Sequence, residues 1–151
     1  MIHPQELVQI ADFLVAEIDI AGENGERKEV RVRGESEIPK LGGNINRVWL
    51  EPNNPLAFPP TIQALLNADI IIVGPGSLYT SLLPNLLVRD LAEAVRASQA
   101  MKFFICNVAT ERGETDQFNC SDHVRSVEKH VGENMFDLVI CNNHFEGHLG
   151  E

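Results

Sequence analysis

Nowhere in the 151 residues is there an apolar run near the roughly 18 residues that a membrane-crossing helix needs, so no integral span is expected. The opening MIHPQEL has neither a basic start nor an apolar stretch, which gives no reason to expect a secretory signal. Cysteine is sparse: Cys106, Cys120 and Cys141 form an odd set without tight metal-ligand spacing. Reduced thiols in a cytoplasm and no metal site are therefore expected. Positive charge is short as well, 12 Lys and Arg against 22 Asp and Glu, for a formal net charge of −10. That balance argues against nucleic acid or an anionic membrane surface as partner. It would also repel a phosphorylated ligand at long range, so a phosphate site has to rest on local dipoles. No Gly-Lys-Ser/Thr is present, which excludes a Walker-type loop. Internal repeats and low-complexity tracts are absent too.

What is present reads as one domain over residues 1–151, with enough apolar content (44%) to bury a core. DFLVAEIDI (12–20) and EVRVRG (29–34) alternate apolar with polar residues around the polar connector AGENGERK, the pattern of a β-hairpin. RVWLEP (47–52) is a further strand, followed by a loop punctuated by Pro52, Pro55, Pro59 and Pro60. A short helix starting at Thr61 precedes DIIIVG (69–74), a continuous apolar run of the kind found in a parallel strand covered on both faces. A helix over 84–100 opens with Pro84, KFFICNV (102–108) is a strand, and SDHVRSVEKHVG (121–132) is a helix capped by Ser121 and ended by Gly132. FDLVICN (136–142) is the last strand. Strand–helix alternation from Asp69 onward predicts an α/β fold with a Rossmann-like parallel sheet and flanking helices, joined to an amino-terminal hairpin. Few helices are left to cover that sheet, so the fold is expected to be partial and self-association into a homo-oligomer follows as an expectation.

Ligands of open α/β sheets bind beyond the carboxyl ends of the strands, which directs attention to three loops. In GPGSLYTS (74–81), Gly74 and Gly76 permit close backbone approach, while Ser77, Tyr79, Thr80 and Ser81 supply neutral donors. A helical turn over 77–82 would aim free amides at an anion without any lysine; the bland alternative is a tight strand-to-helix turn whose hydroxyls cap backbone. NVATERGETD (107–116) carries Thr115 and Asp116, suited to a ribose, a sugar hydroxyl or a hydrated cation, or else simply to solvent. His123 stands in the first turn of the following helix, placed either to meet a phosphate or to face water. His144 and His148 in the closing loop lack the HExxH order of a zinc peptidase. Cys106 and Cys141 lie inside apolar strand patterns, where a thiol behaves as a small hydrophobe, and Cys120 is nearer a loop.

Taken in order, VRGESEIPK, ADIIIVGPGSLYTSLLPNLLV, ICNVATERGETDQFNCSDHV and the closing strand resemble the gluconeogenesis-factor family, also called YvcK-like or CofD-like after its 2-phospho-L-lactate transferase relatives. The resemblance covers the chain from about Asp12 onward and corresponds to the carboxy-terminal half of the family's fold. It implies a Rossmann-like fold that binds a nucleotide or nucleotide-sugar. In YvcK-like members the ligand is UDP-N-acetylglucosamine, and the protein regulates carbon flow, cell-wall precursor supply and cell shape without an established reaction. CofD-like members instead transfer a phospholactyl group from a guanosine-activated donor in deazaflavin coenzyme biosynthesis, with magnesium a candidate cofactor. Carried over by resemblance, Gly74, Gly76, Ser77, Tyr79 and Thr80 would lie at the ligand's phosphates or sugar. Thr115, Asp116, Phe118, Ser121, Asp122 and His123 would line the facing wall. The chain departs from the family in lacking a GGGTG-type opening and the arginine-containing segment after the last strand. It also has Ala109, Thr110 and Glu111 where MTQ is usual, and Phe118 in place of a frequent tyrosine. The expectations are thus a cytoplasmic nucleotide-sugar-binding regulator, with a CofD-like transferase or a non-binding fragment as the alternatives.

Overall fold

A computed structural model describes residues 14–22 and 24–143, so His144 and His148 lie outside the described residues. The alternating amino-terminal segment forms β1 (Leu14–Ala21), with Leu14, Val15, Ala16 and Ile18 buried. It pairs antiparallel with β2 (Arg27–Arg33), and the Gly22 amide closes the hairpin by donating to the Glu26 carbonyl at 2.7 Å. A four-residue helix, α1 (Ile38–Leu41), follows and buries Ile38 completely; a helix this short carries no readable periodicity. Strand β3 (Asn44–Leu50) then pairs with the other edge of β1, giving the order β2-β1-β3 with a register irregularity between Glu17 and Ile18.

The second half is wound differently. Helix α2 (Pro59–Leu66) starts two residues before Thr61, because both prolines fit a first turn whose amides have no intrahelical partner. Strands β4 (Ile70–Val73), β5 (Met101–Ile105) and β6 (Leu138–Ile140) form a parallel sheet in that order. A π-helical turn (Leu78–Leu82), α3 (Leu83–Leu86) and α4 (Arg89–Ala97) cross from β4 to β5. The single helix expected over 84–100 is thus two. Buried, β-branched Val88 takes an extended backbone between them and re-aims the chain, so that Ala92, Ala94 and Val95 can enter the core.

Helix α5 (Cys120–Val131) crosses from β5 to β6. Its cap is Asn119, not Ser121. The Asn119 side chain accepts from the Asp122 amide at 3.1 Å while the Asp122 carboxylate accepts from the Asn119 amide at 2.9 Å, a reciprocal capping box. Gly132 ends the helix at φ 94°, as expected. α5 also ties the two sheets together. His130 accepts from the Val48 amide through Nε2 at 3.0 Å, and Lys129 donates to the Asn46 carbonyl at 2.7 Å.

Strand β4 is not covered on both faces as its apolar run suggests. Ile71 turns into the core, whereas Ile70 and Ile72 are 57% and 59% exposed. Met101, Leu138, Val139 and Ile140 are exposed as well. The fold is α/β, a three-stranded parallel sheet flanked by helices beside an antiparallel amino-terminal sheet. Among the described residues no helix is long and apolar enough to cross a membrane.

Candidate functional site

The site is assembled where β4 and β5 end side by side. Gly74 has φ 95°, and a Cβ there would stand 2.4 Å from the Ile105 carbonyl oxygen, so only glycine lets the two strand exits approach this closely. Two residues on, the Gly76 amide donates to Asn107 Oδ1 at 2.8 Å and the Asn107 amide nitrogen donates back to the Gly76 carbonyl at 3.0 Å. One side chain therefore lashes the first loop to the second.

The polar groups that follow are engaged from within the chain. Ser77 Oγ donates to Glu111 at 2.7 Å. The Tyr79 amide and the Thr80 hydroxyl donate to the two oxygens of Glu114 at 3.0 and 2.5 Å. Glu114 is only 3% exposed. Burial pushes its carboxyl above the ordinary carboxylate range, and the Thr80 and Tyr79 donors pull against that rise. Tyr79 is buried, with its hydroxyl on Ser126 Oγ at 3.1 Å. Thus an internal carboxylate holds donors at the start of the turn that begins with Leu78.

The second loop is equally self-contained at its far end. Thr115 is fully buried and accepts from the Glu111 amide at 2.8 Å. Asp116 accepts from the Gly113 amide at 2.7 Å. Gly113 itself, at φ 83°, lies directly against the Pro39 carbonyl, where no Cβ would fit. Asp122 is committed to the capping box and to an ion pair with Arg125 at 2.9 Å.

What stays open is a cavity of about 680 Å³ beyond the carboxyl ends of β5 and β6, roofed by the start of α5. Of the residues expected from sequence, Phe118, Ser121 and His123 line it; Asn107, Thr110 and Asn142 join them. His123 is 4% exposed, and its Nδ1 lies 2.9 Å from the Asn119 carbonyl, an oxygen that can only accept. Nδ1 therefore carries the proton, which leaves Nε2 as a bare lone pair, buried and without a hydrogen-bond partner among the described residues. Phe118 packs edge-on against both His123 and Tyr79, with ring centroids 5.5 and 6.4 Å apart. Ser77, Thr80 and Glu114 do not border this cavity, and Gly76 reaches it only through Asn107.

Three sulphurs share its wall, which sequence spacing does not suggest. Cys120 and Cys141 are joined as a disulfide rather than held as separate thiols, and buried Cys106 is free. A signal was nonetheless available: β5 and β6 both end in Ile-Cys-Asn, so in-register parallel pairing sets the two cysteines and the two asparagines side by side.

Comparison with known proteins agrees with this architecture. The gluconeogenesis factor of Listeria innocua is 49% identical over 111 residues, 74% of this chain and 34% of that protein. The gluconeogenesis factor of Bacillus subtilis is 46% identical over 112 residues, again 74% of this chain and 35% of its own length. The crystal structure of a UPF0052-family protein from Bacillus halodurans superposes with a TM-score of 0.77 at 40% identity, covering 89% of this chain and 41% of that one. The chain thus spans about a third of the length of these curated relatives. The profile described as 2-phospho-L-lactate transferase CofD matches residues 14–149, nearly the whole sequence, and the chain belongs to the CofD family.

Proposed function

We propose that the cavity at the ends of β5 and β6 is part of a nucleotide-sugar site, of the UDP-N-acetylglucosamine type, in a protein that regulates carbon metabolism and cell-wall precursor supply. The observation that carries this reading is the buried, unpartnered Nε2 of His123 in the wall of that cavity. An imidazole in this tautomer presents Nε2 as an acceptor for a sugar or ribose hydroxyl. Asn107 and Asn142 stand in the same wall, and Phe118 adds a flat apolar surface. A volume of about 680 Å³ lies within the ~300–1,000 Å³ usual for small-molecule sites. The glycine corner at Gly74 and Gly76 acts here by bringing the loops together, while Ser77, Tyr79 and Thr80 hold the frame through Glu111 and Glu114.

The chain spans about a third of the length of its curated relatives, and in this reading the rest of such a protein contributes to the site. Calorimetry with UDP-N-acetylglucosamine is expected to give a dissociation constant weaker than about 1 μM for this chain, and tighter binding when the amino-terminal part of a gluconeogenesis factor is joined to it. His123→Ala in the joined protein should weaken binding at least tenfold. Unchanged affinity would remove the cavity from the site. The CofD family description favours a second reading, a transferase that moves a phospholactyl-type group from a guanosine-activated donor. Product formation from such a donor would establish it over the first.

A further inference from the structure

The two parallel strands that border the cavity end alike, as Ile105-Cys106-Asn107 and Ile140-Cys141-Asn142. Ile105 pairs with Ile140, and the Cys106 amide continues the ladder by donating to the Ile140 carbonyl at 2.9 Å. Neighbouring strands run about 4.8 Å apart, so Cys106 and Cys141 are held adjacent by backbone alone. The third sulphur arrives from a different direction. Cys120 is the first residue of α5, fixed there by the Asn119–Asp122 capping box. All three Sγ atoms lie within 4.8 Å of one another. Thiolates sharing one tetrahedral zinc, with bonds of ~2.3 Å, stand about 3.8 Å apart, so the bonded Cys120 and Cys141 sulphurs must first be reduced and part before the cluster can act as a ligand set.

We propose that Cys106, Cys120 and Cys141, when reduced, together bind one soft cation of the zinc(II) class on the wall of this cavity. The site does not depend on the nucleotide reading. Three thiolates are a donor set that favours zinc or copper(I) over hard cations such as magnesium. Cys120 is set at the start of a twelve-residue helix, so its position in the cluster is fixed by α5. Cys106 is buried, which pushes its thiol up, so metal uptake has to displace a proton there and weakens as pH falls. His123, three residues after Cys120 on α5, lines the same cavity with a bare Nε2 and an Nδ1–H held by a backbone carbonyl.

The Cys120–Cys141 disulfide is the oxidised form of the same cluster. Two equivalents of a thiol reductant convert it into two thiols and one reductant disulfide. Zinc(II) then exchanges for the three thiol protons.

The test is a cobalt(II) titration of the 151-residue chain, reduced with dithiothreitol and desalted under nitrogen, followed by displacement with zinc(II). About one cobalt per chain should bind with intense thiolate-to-cobalt charge-transfer absorption that zinc bleaches. Cys106→Ser and Cys141→Ser should each weaken uptake about a hundredfold or more. Cys106 is buried whereas Cys141 sits at a strand end, so the second variant reports on the site even if the first fails to fold. No charge-transfer band in a chain with three titratable thiols would overturn the proposal, as would a band that survives either substitution. A chain that merely cycles between two thiols and a disulfide without taking up cobalt would also overturn it and leave the cluster as a redox pair.

Discussion

At the scale of single residues, Glu114 organises the first loop. Its carboxylate is the buried acceptor for the Tyr79 amide and the Thr80 hydroxyl, and truncation would strand both donors away from water. Glu114→Ala is therefore expected to cost about 2–4 kcal/mol of stability, measured by urea unfolding. The pH dependence has a definite sign. Because burial raises the folded pKa, the stabilising contribution of Glu114 is full below the unfolded carboxyl range near 4.5 and is lost as pH rises through the folded value. Glu114→Gln does not titrate, so its deficit relative to the natural chain should shrink as the pH is raised; a deficit that grows would contradict the assignment. Gly74→Ala forces a side chain into positive φ and onto the Ile105 carbonyl, and about 2 kcal/mol or more of stability should go with it. The glycine and hydroxyl types of this corner were readable from GPGSLYTS. Glu114 as their partner was not, because a buried carboxylate in a polar loop has the same local sequence as a solvated one.

At the scale of elements, α5 matters most, since it roofs the cavity with its first turn and pins β3 with its last. Asn119→Ala removes one half of the capping box and should lower stability by about 1 kcal/mol, visible as a reduced urea midpoint. At the other end, His130 is held neutral: Nε2 accepts from Val48, and Nδ1 lies 2.6 Å from the Ser126 carbonyl. Burial first, then the Lys129 and Arg47 charges, lower its folded pKa below the ordinary 6.5, against the pull of the Ser126 carbonyl. A depressed histidine supports the fold above its unfolded pKa and loses that support as pH falls toward the folded value. Thermal unfolding should accordingly show a drop in Tm on acidification below about pH 6.5 that His130→Asn flattens. The helix and its ending at Gly132 were legible because Val124, Val127 and Val131 mark one stripe. The break at Val88 was not, because an apolar residue fits helical periodicity and a buried extended link equally well.

For the whole molecule, the feature that sequence patterning misjudged is the most informative. The continuous apolar run of β4 signalled a strand buried on both faces, yet Ile70 and Ile72 lie exposed, as do Met101 on β5 and Leu138 on β6. Periodicity reports the environment for which a strand is suited, and this chain spans about a third of the length of its curated relatives. Exposed apolar sheet surface of this kind favours association. Sedimentation of the 151-residue chain should show concentration-dependent self-association that Ile70→Lys with Ile72→Lys suppresses, and a strictly monomeric natural chain would refute it. The α/β class and the order of elements were otherwise visible in the alternation of patterns. The cavity was not, because Asn107, Phe118, His123 and Asn142 meet only through the parallel register of β5 with β6 and the placement of α5 above them. That cavity is the proposed contact surface for the ligand. Its most direct test is a titration of the isotopically labelled chain with UDP-N-acetylglucosamine, followed by amide NMR shifts, which register even weak binding. Saturable shifts should concentrate at Asn107–Thr110, Ser121–His123 and Asn142, with Tyr79 and Thr80 little moved; shifts centred on Tyr79 and Thr80, or none at millimolar ligand, would contradict it.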